Sequence, residues 1–294
     1  MSTSDPDSRL LVTRTGVTEV GYNVQTVADA GHNLILDYQV TNQTDSKAMG
    51  GMLKRTSGII DIKGVIGLFD KGYHTGSEIK TAIDLGVNIM VAIPEHASHT
   101  PDPNYDITHF TYNKENDTYT CPQNETLTTN GTWYSKQRNN GAATKMKHYL
   151  SEACLTCPMQ GNCTKNPKGR LVERSEYAEY IEQNKANIEA DKETCKKRQC
   201  IIEHPFGTIK RQWGFNYIMT KRTKERASAD VGLMFIAYNL RRLMNIKDKK
   251  AFKEFLMELC FAFPPKMVLS NLKTSNLSLS IFGFAKNELF NNAA

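Results

Sequence analysis

Long apolar runs are missing from this 294-residue chain. A stretch such as Ile89-Met90-Val91-Ala92-Ile93 is far too short to cross a bilayer. The opening Met-Ser-Thr-Ser-Asp-Pro-Asp has no apolar core of a secretion signal. Together these predict a cytoplasmic protein with no membrane partner. In that compartment the seven cysteines read as metal ligands or buried thiols rather than disulfides. Hydrophobic residues are sparse at 39%, yet enough for a core, and a charged fraction of 23% is ordinary. No internal repeat is present.

Acid is scarce where base is dense. From Lys196 to Arg226 stand Lys196, Lys197, Arg198, Lys210, Arg211, Lys221, Arg222, Lys224 and Arg226, against only Glu203 and Glu225. That excess of +7 exceeds the +6 of the whole chain, so the remainder is close to neutral. Such a concentrated patch fits phosphate contacts. The competing reading is a solvated helix face with one ion-paired glutamate.

Along the chain, Val20 to Ala28 and Asn33 to Val40 predict a β-hairpin turning at Asp29-Ala30-Gly31-His32. Residues 1–16 read as an irregular lead-in. Residues 46–60 carry apolar positions at helical spacing. Val65 to Phe69 and Val87 to Ile93 read as buried strands, separated by a helix from Ser77 to Leu85 capped by Ser77, with Thr75 as a second contributor, and stopped at Gly86. The chain turns polar near residue 95. There Phe110-Thr111-Tyr112 pairs with Thr118-Tyr119-Thr120, and a second hairpin turns at Asn130-Gly131. A charged helix runs from Ser175 to about Arg198, and another spans part of 200–213, kinked or restarted at Pro205. Helices also cover Ala227 to Met244 and Phe252 to Phe263, with a poorly ordered tail over the last 25 residues. The segments are therefore 1–94, 95–174, 175–246 and 247–294.

Asp70 ends a buried strand and is followed by Lys-Gly-Tyr, at a place where side chains converge in open α/β sheets. An isolated Asp there is as readily a turn residue. Glu203 is the natural second ligand for a divalent ion. Among Cys121, Cys154, Cys157 and Cys163, the Cys154-x-x-Cys157 pair is typical of zinc knuckles, while the spacings to Cys121 and Cys163 are loose. Structural Zn²⁺ and reduced, unliganded thiols both remain open, with His148 as a substitute ligand. Trp213 and Phe215, after the basic helix, fit either base stacking or the core. His74, His96 and His99 read as polar residues around the strand ends rather than ligands.

Three strings together resemble bacterial insertion-sequence transposases of the DDE type. They are Gly21-Tyr22-Asn23-Val24-Gln25-Thr26, Asp70-Lys71-Gly72-Tyr73 and Glu203-His204-Pro205-Phe206-Gly207-Thr208-Ile209-Lys210. The resemblance covers about residues 5–246 and includes a cysteine-bearing insertion. It implies an α/β fold: an RNase H-like mixed sheet flanked by helices and interrupted by a small Cys-rich β insertion. It implies Mg²⁺- or Mn²⁺-dependent DNA cleavage and strand transfer, by a homodimer acting on transposon ends and target DNA. Asp70 matches the family's middle acid and Glu203 its last. Lys210, seven residues on and two helical turns along, matches a phosphate-contacting lysine, with Arg211 beside it. Arg198 stands near the family's upstream arginine, at an offset of five rather than four. The first acid of the family has no match, and Asp29 is its nearest substitute, ahead of Asp37 and Asp45. The expectation is a chain lacking its N-terminal part and impaired in catalysis. The rival reading is a non-catalytic DNA-binding remnant.

Overall fold

The computed structural model describes residues 5–12, 16, 18–95, 100–137, 143–216, 222–262 and 288–291. In chain order the strands and α-helices are β1 (Arg9–Val12), β2 (Thr18–Ala28), β3 (Ile35–Thr41), α1 (Met49–Ser57), β4 (Ile66–Phe69), α2 (Gly76–Asp84) and β5 (Asn88–Val91). There follow β6 (Thr111–Asn113), β7 (Thr118–Thr120), β8 (Thr126–Leu127), β9 (Trp133–Lys136), β10 (Thr144–Tyr149), α3 (Gln160–Cys163) and β11 (Val172–Ser175). The chain closes with α4 (Ala178–Ala190), α5 (Lys192–Phe206), α6 (Lys224–Ile246), α7 (Lys249–Ala262) and β12 (Glu288–Asn291). It divides into two compact units: residues 1–94 with 183–294, and residues 95–182. Among the described residues no helix is long and apolar enough to cross a membrane.

The first unit is built on the predicted hairpin. β2 pairs antiparallel with β3 along Asn23 to Ala28, slipping at Val27/Ala28. β1 pairs antiparallel with the start of β2, Arg9 opposite Gly21. Residues 9–12 are thus a strand where an irregular lead-in is expected; four residues are too few to display a period. β12 pairs antiparallel with Val24 to Gly21 of β2. Most of the tail expected to be poorly ordered lies outside the described residues, and its described part is this strand. β4 and β5 form a separate parallel pair, Ile66 opposite Asn88. The fold is mixed α/β with several small sheets, which is consistent with a DDE transposase. The one mixed sheet expected is absent among the described residues, because no hydrogen-bonded ladder joins β2 to β4.

A core of Tyr22, Val24, Val40, Leu68, Met90, Ile202, Phe206, Ile209, Val231, Phe235 and neighbours binds these strands to α5 and α6. Two asparagines complete strand edges from the helices. Asn184 of α4 is fully buried; its amide accepts from Val91 N (2.7 Å) and donates to Val91 O (2.9 Å). Asn239 of α6 does the same for Ile35, at 2.9 and 2.7 Å. Each pairs both backbone groups of a residue that would otherwise lack a partner. Gly232 of α6 is required by close approach, since a Cβ there would lie 2.3 Å from the Tyr38 hydroxyl.

The N-cap of α2 is Thr75 rather than Ser77, which lies inside the helix, and Thr75 makes no side-chain capping bond. The expected single charged helix to Arg198 is two, broken at Asp191, whose carboxylate accepts from Thr194 N (2.9 Å) and starts α5. Pro205 lies inside α5, and immediately beyond it Gly207–Gln212 widens into a π-helical turn.

The second unit has two three-stranded antiparallel sheets, β6-β7-β8 and β9-β10-β11. The first contains the predicted hairpin, Thr111 opposite Thr120. The Asn130-Gly131 turn does not close a hairpin: β8 before it pairs with β7, and β9 after it pairs with β10. Its core is small, with Phe110, Tyr119, Leu127, Tyr149 and Val172. Asp117, at φ 50° in the hairpin turn, accepts from Lys147 Nζ (2.6 Å), Tyr149 Oη (2.6 Å) and Tyr112 Oη (2.8 Å). Burial alone would raise its pKa, but these donors hold it down at about 2. Arg174 lies over the Tyr112 ring, 3.6 Å from its centroid, and pairs with Glu182.

Candidate active site

Asp70 follows β4 directly. Its backbone is extended and its Oδ1 accepts from Lys71 N (2.9 Å), capping the short 3-10 turn Lys71–Tyr73. The same oxygen faces Arg198 Nη2 at 3.5 Å. Arg198 Nη1 also donates to Phe69 O at 3.3 Å. Both partners are largely enclosed, with side-chain exposures of 14% for Arg198 and 29% for Asp70. Leu68, two residues before Asp70, shares the core with Ile201 and Ile202 of α5. The helix that carries Glu203 is therefore packed beside the end of β4, fastened by an arginine five positions upstream of that glutamate.

Glu203 itself is exposed, between the buried Ile202 and Pro205. Among the described residues no three His, Cys, Asp or Glu side chains are gathered as a metal site. The guanidinium of Arg198 faces the Asp70 carboxylate, on which a divalent ion would have to compete with it. As they stand, the described carboxylates do not make a complete Mg²⁺ or Mn²⁺ site.

A second carboxylate near Asp70 has no signal in residue spacing. Asp45 lies against Gly72: a Cβ built there would be 2.7 Å from Asp45 Oδ2. Asn23 and Gln25 of β2 donate to Asp45 Oδ1 at 2.6 and 3.3 Å. Gln25 accepts in turn from the Tyr73 hydroxyl. The Asn and Gln of the β2 string thus orient an acid beside the Asp70 turn. Gly72 is what lets that acid approach. Asn23 Oδ1 and Arg198 Nε are buried there without a hydrogen-bond partner. His74, which ends the same turn, is held below its ordinary pKa by burial.

The other acids are committed elsewhere. Asp29 caps its own turn, accepting from Gly31 N (3.0 Å) and His32 N, which is the ordinary chemistry of a turn aspartate. Asp37 is held by Arg55 through two bonds of 2.9 and 2.7 Å. Asp5 accepts from the Tyr22 hydroxyl at 2.7 Å, and Asp7 accepts from Lys224 N at the start of α6 (3.0 Å).

Lys210 and Arg211 lie on the π-helical turn. The spacing argument that puts Lys210 on the Glu203 face assumes unbroken α-helix, and the wider turn breaks that count. Lys210 Nζ stands 5.8 Å from the Phe206 ring centroid. Arg211, Lys197, Arg222, Lys224 and Arg226 are exposed, while Lys196 pairs with Glu193 at 2.7 Å. Trp213 and Phe215 are partly buried against the core of the first unit, with Arg241 over the Trp213 ring. Lys221, His96 and His99 lie outside the described residues.

Residues 120–244, somewhat under half of the chain, match the family model described as a transposase DDE domain. That match supports a DDE transposase. It spans Arg198, Glu203, Lys210 and the cysteines Cys121, Cys154, Cys157 and Cys163, and begins after Asp70. No curated protein and no solved structure matches the chain.

Proposed function

We propose that this chain is a DDE-type transposase protein that binds transposon-end DNA through the basic stretch from Lys196 to Arg226, with Asp70 and Glu203 as its metal-binding acids. The observation that carries this reading is the Arg198–Asp70 contact. It fastens the helix bearing Glu203 to the strand end bearing Asp70, the two places the chemistry has to unite. When bound, a divalent ion supplies charge stabilisation for an in-line attack on a phosphodiester. The chain's own residues would hold phosphate at Lys210 and Arg211 and orient Asp70 through Lys71 N and Arg198. Two copies would hold paired ends.

The acid set among the described residues is short of a metal site, so catalysis by this chain alone is weak or nil. A second reading, a DNA-binding remnant without catalysis, is favoured by the same Arg198–Asp70 contact, which sets a guanidinium where a metal ion would have to sit.

Two measurements on the full chain test this. Fluorescence anisotropy with end DNA in EDTA should show binding, falling steeply with salt. A strand-transfer assay with Mn²⁺ and paired ends should show little product, and any nicking should vanish in Asp70→Asn and Glu203→Gln. Absence of binding at low salt would end the transposase reading. Robust strand transfer by the chain alone would end the claim of impairment, and nicking that survives both substitutions would remove these acids from the site.

A further inference from the structure

The second unit contains chemistry the transposase reading does not use. Cys121, Cys154, Cys157 and Cys163 come from three separate segments: the end of β7, the 3-10 turn Glu152–Leu155 with the residues after it, and α3. All four are free thiols, and all four line one cavity of about 30 Å³. That volume suits one or two waters or a single ion. Around Cys121 the backbone is shaped for a sulfur ligand. Gln123 N–H points at Cys121 Sγ (3.3 Å), and Asn124, at φ 60°, donates its N–H to Cys121 O (2.9 Å). Near Cys154 the chain is laid close. Gly169 has φ +89°, and a Cβ there would lie 2.6 Å from Cys154 Cβ, so only glycine fits. Arg170, also lining the cavity, donates to Cys163 O (3.4 Å), while its Nε is buried without a partner.

We propose that Cys121, Cys154, Cys157 and Cys163 hold one structural zinc ion, with Arg170 as the cation that offsets the charge of the four thiolates. Four thiolates around Zn²⁺ carry a net double negative charge, and an Arg N–H lacking a partner beside them is the donor such a cluster needs. As placed, the sulfurs are not drawn in to metal distances. The ion would pull them to about 2.3 Å within the cavity they already line. Four protein ligands leave no open position, so the ion is structural and not catalytic. His148 is not one of its ligands. Its ring stacks on Tyr134 (centroids 4.4 Å apart, 11° between planes), its Nε2 lies 3.6 Å from Glu173 Oε1, and it does not line the cavity. The ion would add to a unit whose apolar core is small, where metals commonly supply the missing stability.

This inference stands or falls apart from the transposase reading. The test is elemental analysis of the full chain, expressed with zinc and purified without chelator. About one equivalent of zinc is expected, released into a colorimetric chelator as an organomercurial titrates the thiols. Cys157→Ser should lower the zinc content at least fivefold, and Cys200→Ser should leave it unchanged. Should Cys157→Ser fail to fold, the mercurial titration of the unaltered chain decides alone. A zinc-free protein with four reactive thiols in this unit would overturn the proposal, as would full zinc retention in Cys157→Ser or zinc that the mercurial does not displace.

Discussion

The two units meet the demand for stability by different means. Residues 1–94 with 183–294 bury an apolar cluster in which strands of the hairpin and of the parallel pair share neighbours with α5 and α6. Residues 95–182 bury five apolar or aromatic residues as their cluster. They compensate with a charged centre at Asp117, an arginine that lies over the Tyr112 ring and donates to the Tyr119 hydroxyl and a cysteine-lined cavity. Burial scales with apolar area and tolerates change by degrees. A polar centre is closer to all-or-none, because removing one partner strands the others. Each unit has one tryptophan, Trp213 in the first and Trp133 in the second, so Trp133→Phe and Trp213→Phe give a separate fluorescence probe for either.

The largest expected effect lies in the first unit. Ile202 is fully buried and packs the Glu203 helix on Leu68 and its neighbours. Ile202→Ala should cost about 2–5 kcal/mol, read as a lower urea midpoint at Trp213. A midpoint shift at Trp133 as large as that at Trp213 would break the comparison, since it would make the units unfold as one.

Next is Asp117→Ala, which leaves two tyrosine hydroxyls and a lysine without their common acceptor. A loss of about 1–3 kcal/mol is expected, at Trp133. Asp117→Asn should recover part of it, because it restores an acceptor without the charge. Equal losses in the two variants would mean that the charge is what matters there.

The same residue sets a pH dependence. Its folded pKa of about 2 lies below the ordinary 3.8. The stability it contributes is present above the ordinary value and is lost as pH falls through the folded one. Between about pH 4 and pH 2 the Trp133 transition should weaken in the native chain and change less in Asp117→Asn. An identical acid profile for the two would show that Asp117 is not held down.

How much of this was legible beforehand follows the same division. The hairpin, β4, α2, β5 and Gly86 at φ +80° were readable because apolar runs and turn residues declare themselves locally. Asp70 and Glu203 were readable as candidates, and the helix break at Asp191 and the π turn after Pro205 were not. Asp191 reads as one more polar residue in a polar helix until its carboxylate is seen to cap Thr194. Asp45, Asn23 and Gln25 gather through Gly72, a contact between segments that no spacing encodes. In the second unit Asp117 reads as a plain hairpin-turn residue. Its three donors come from Tyr112, Lys147 and Tyr149, the last two from a strand thirty residues on. Polar centres are assembled by tertiary structure, so sequence periodicity is blind to them.

The smallest effect concerns surface charge, and it sharpens the contrast from the other side. Lys80 and Asp84 pair on the exposed face of α2, with side chains 41% and 53% exposed. Lys80→Ala should move the Trp213 midpoint by less than about 0.5 kcal/mol, since exposed helix pairs are screened and lose side-chain freedom in forming. Lys147, which reaches Asp117 with a side chain 20% exposed, should cost several times more when changed to Ala, because its loss also unbalances the carboxylate that two tyrosines share. Matching effects at the two lysines would mean that the Asp117 centre is as solvent-screened as an ordinary surface pair. The second unit would then depend on its five-residue core and its cysteines alone.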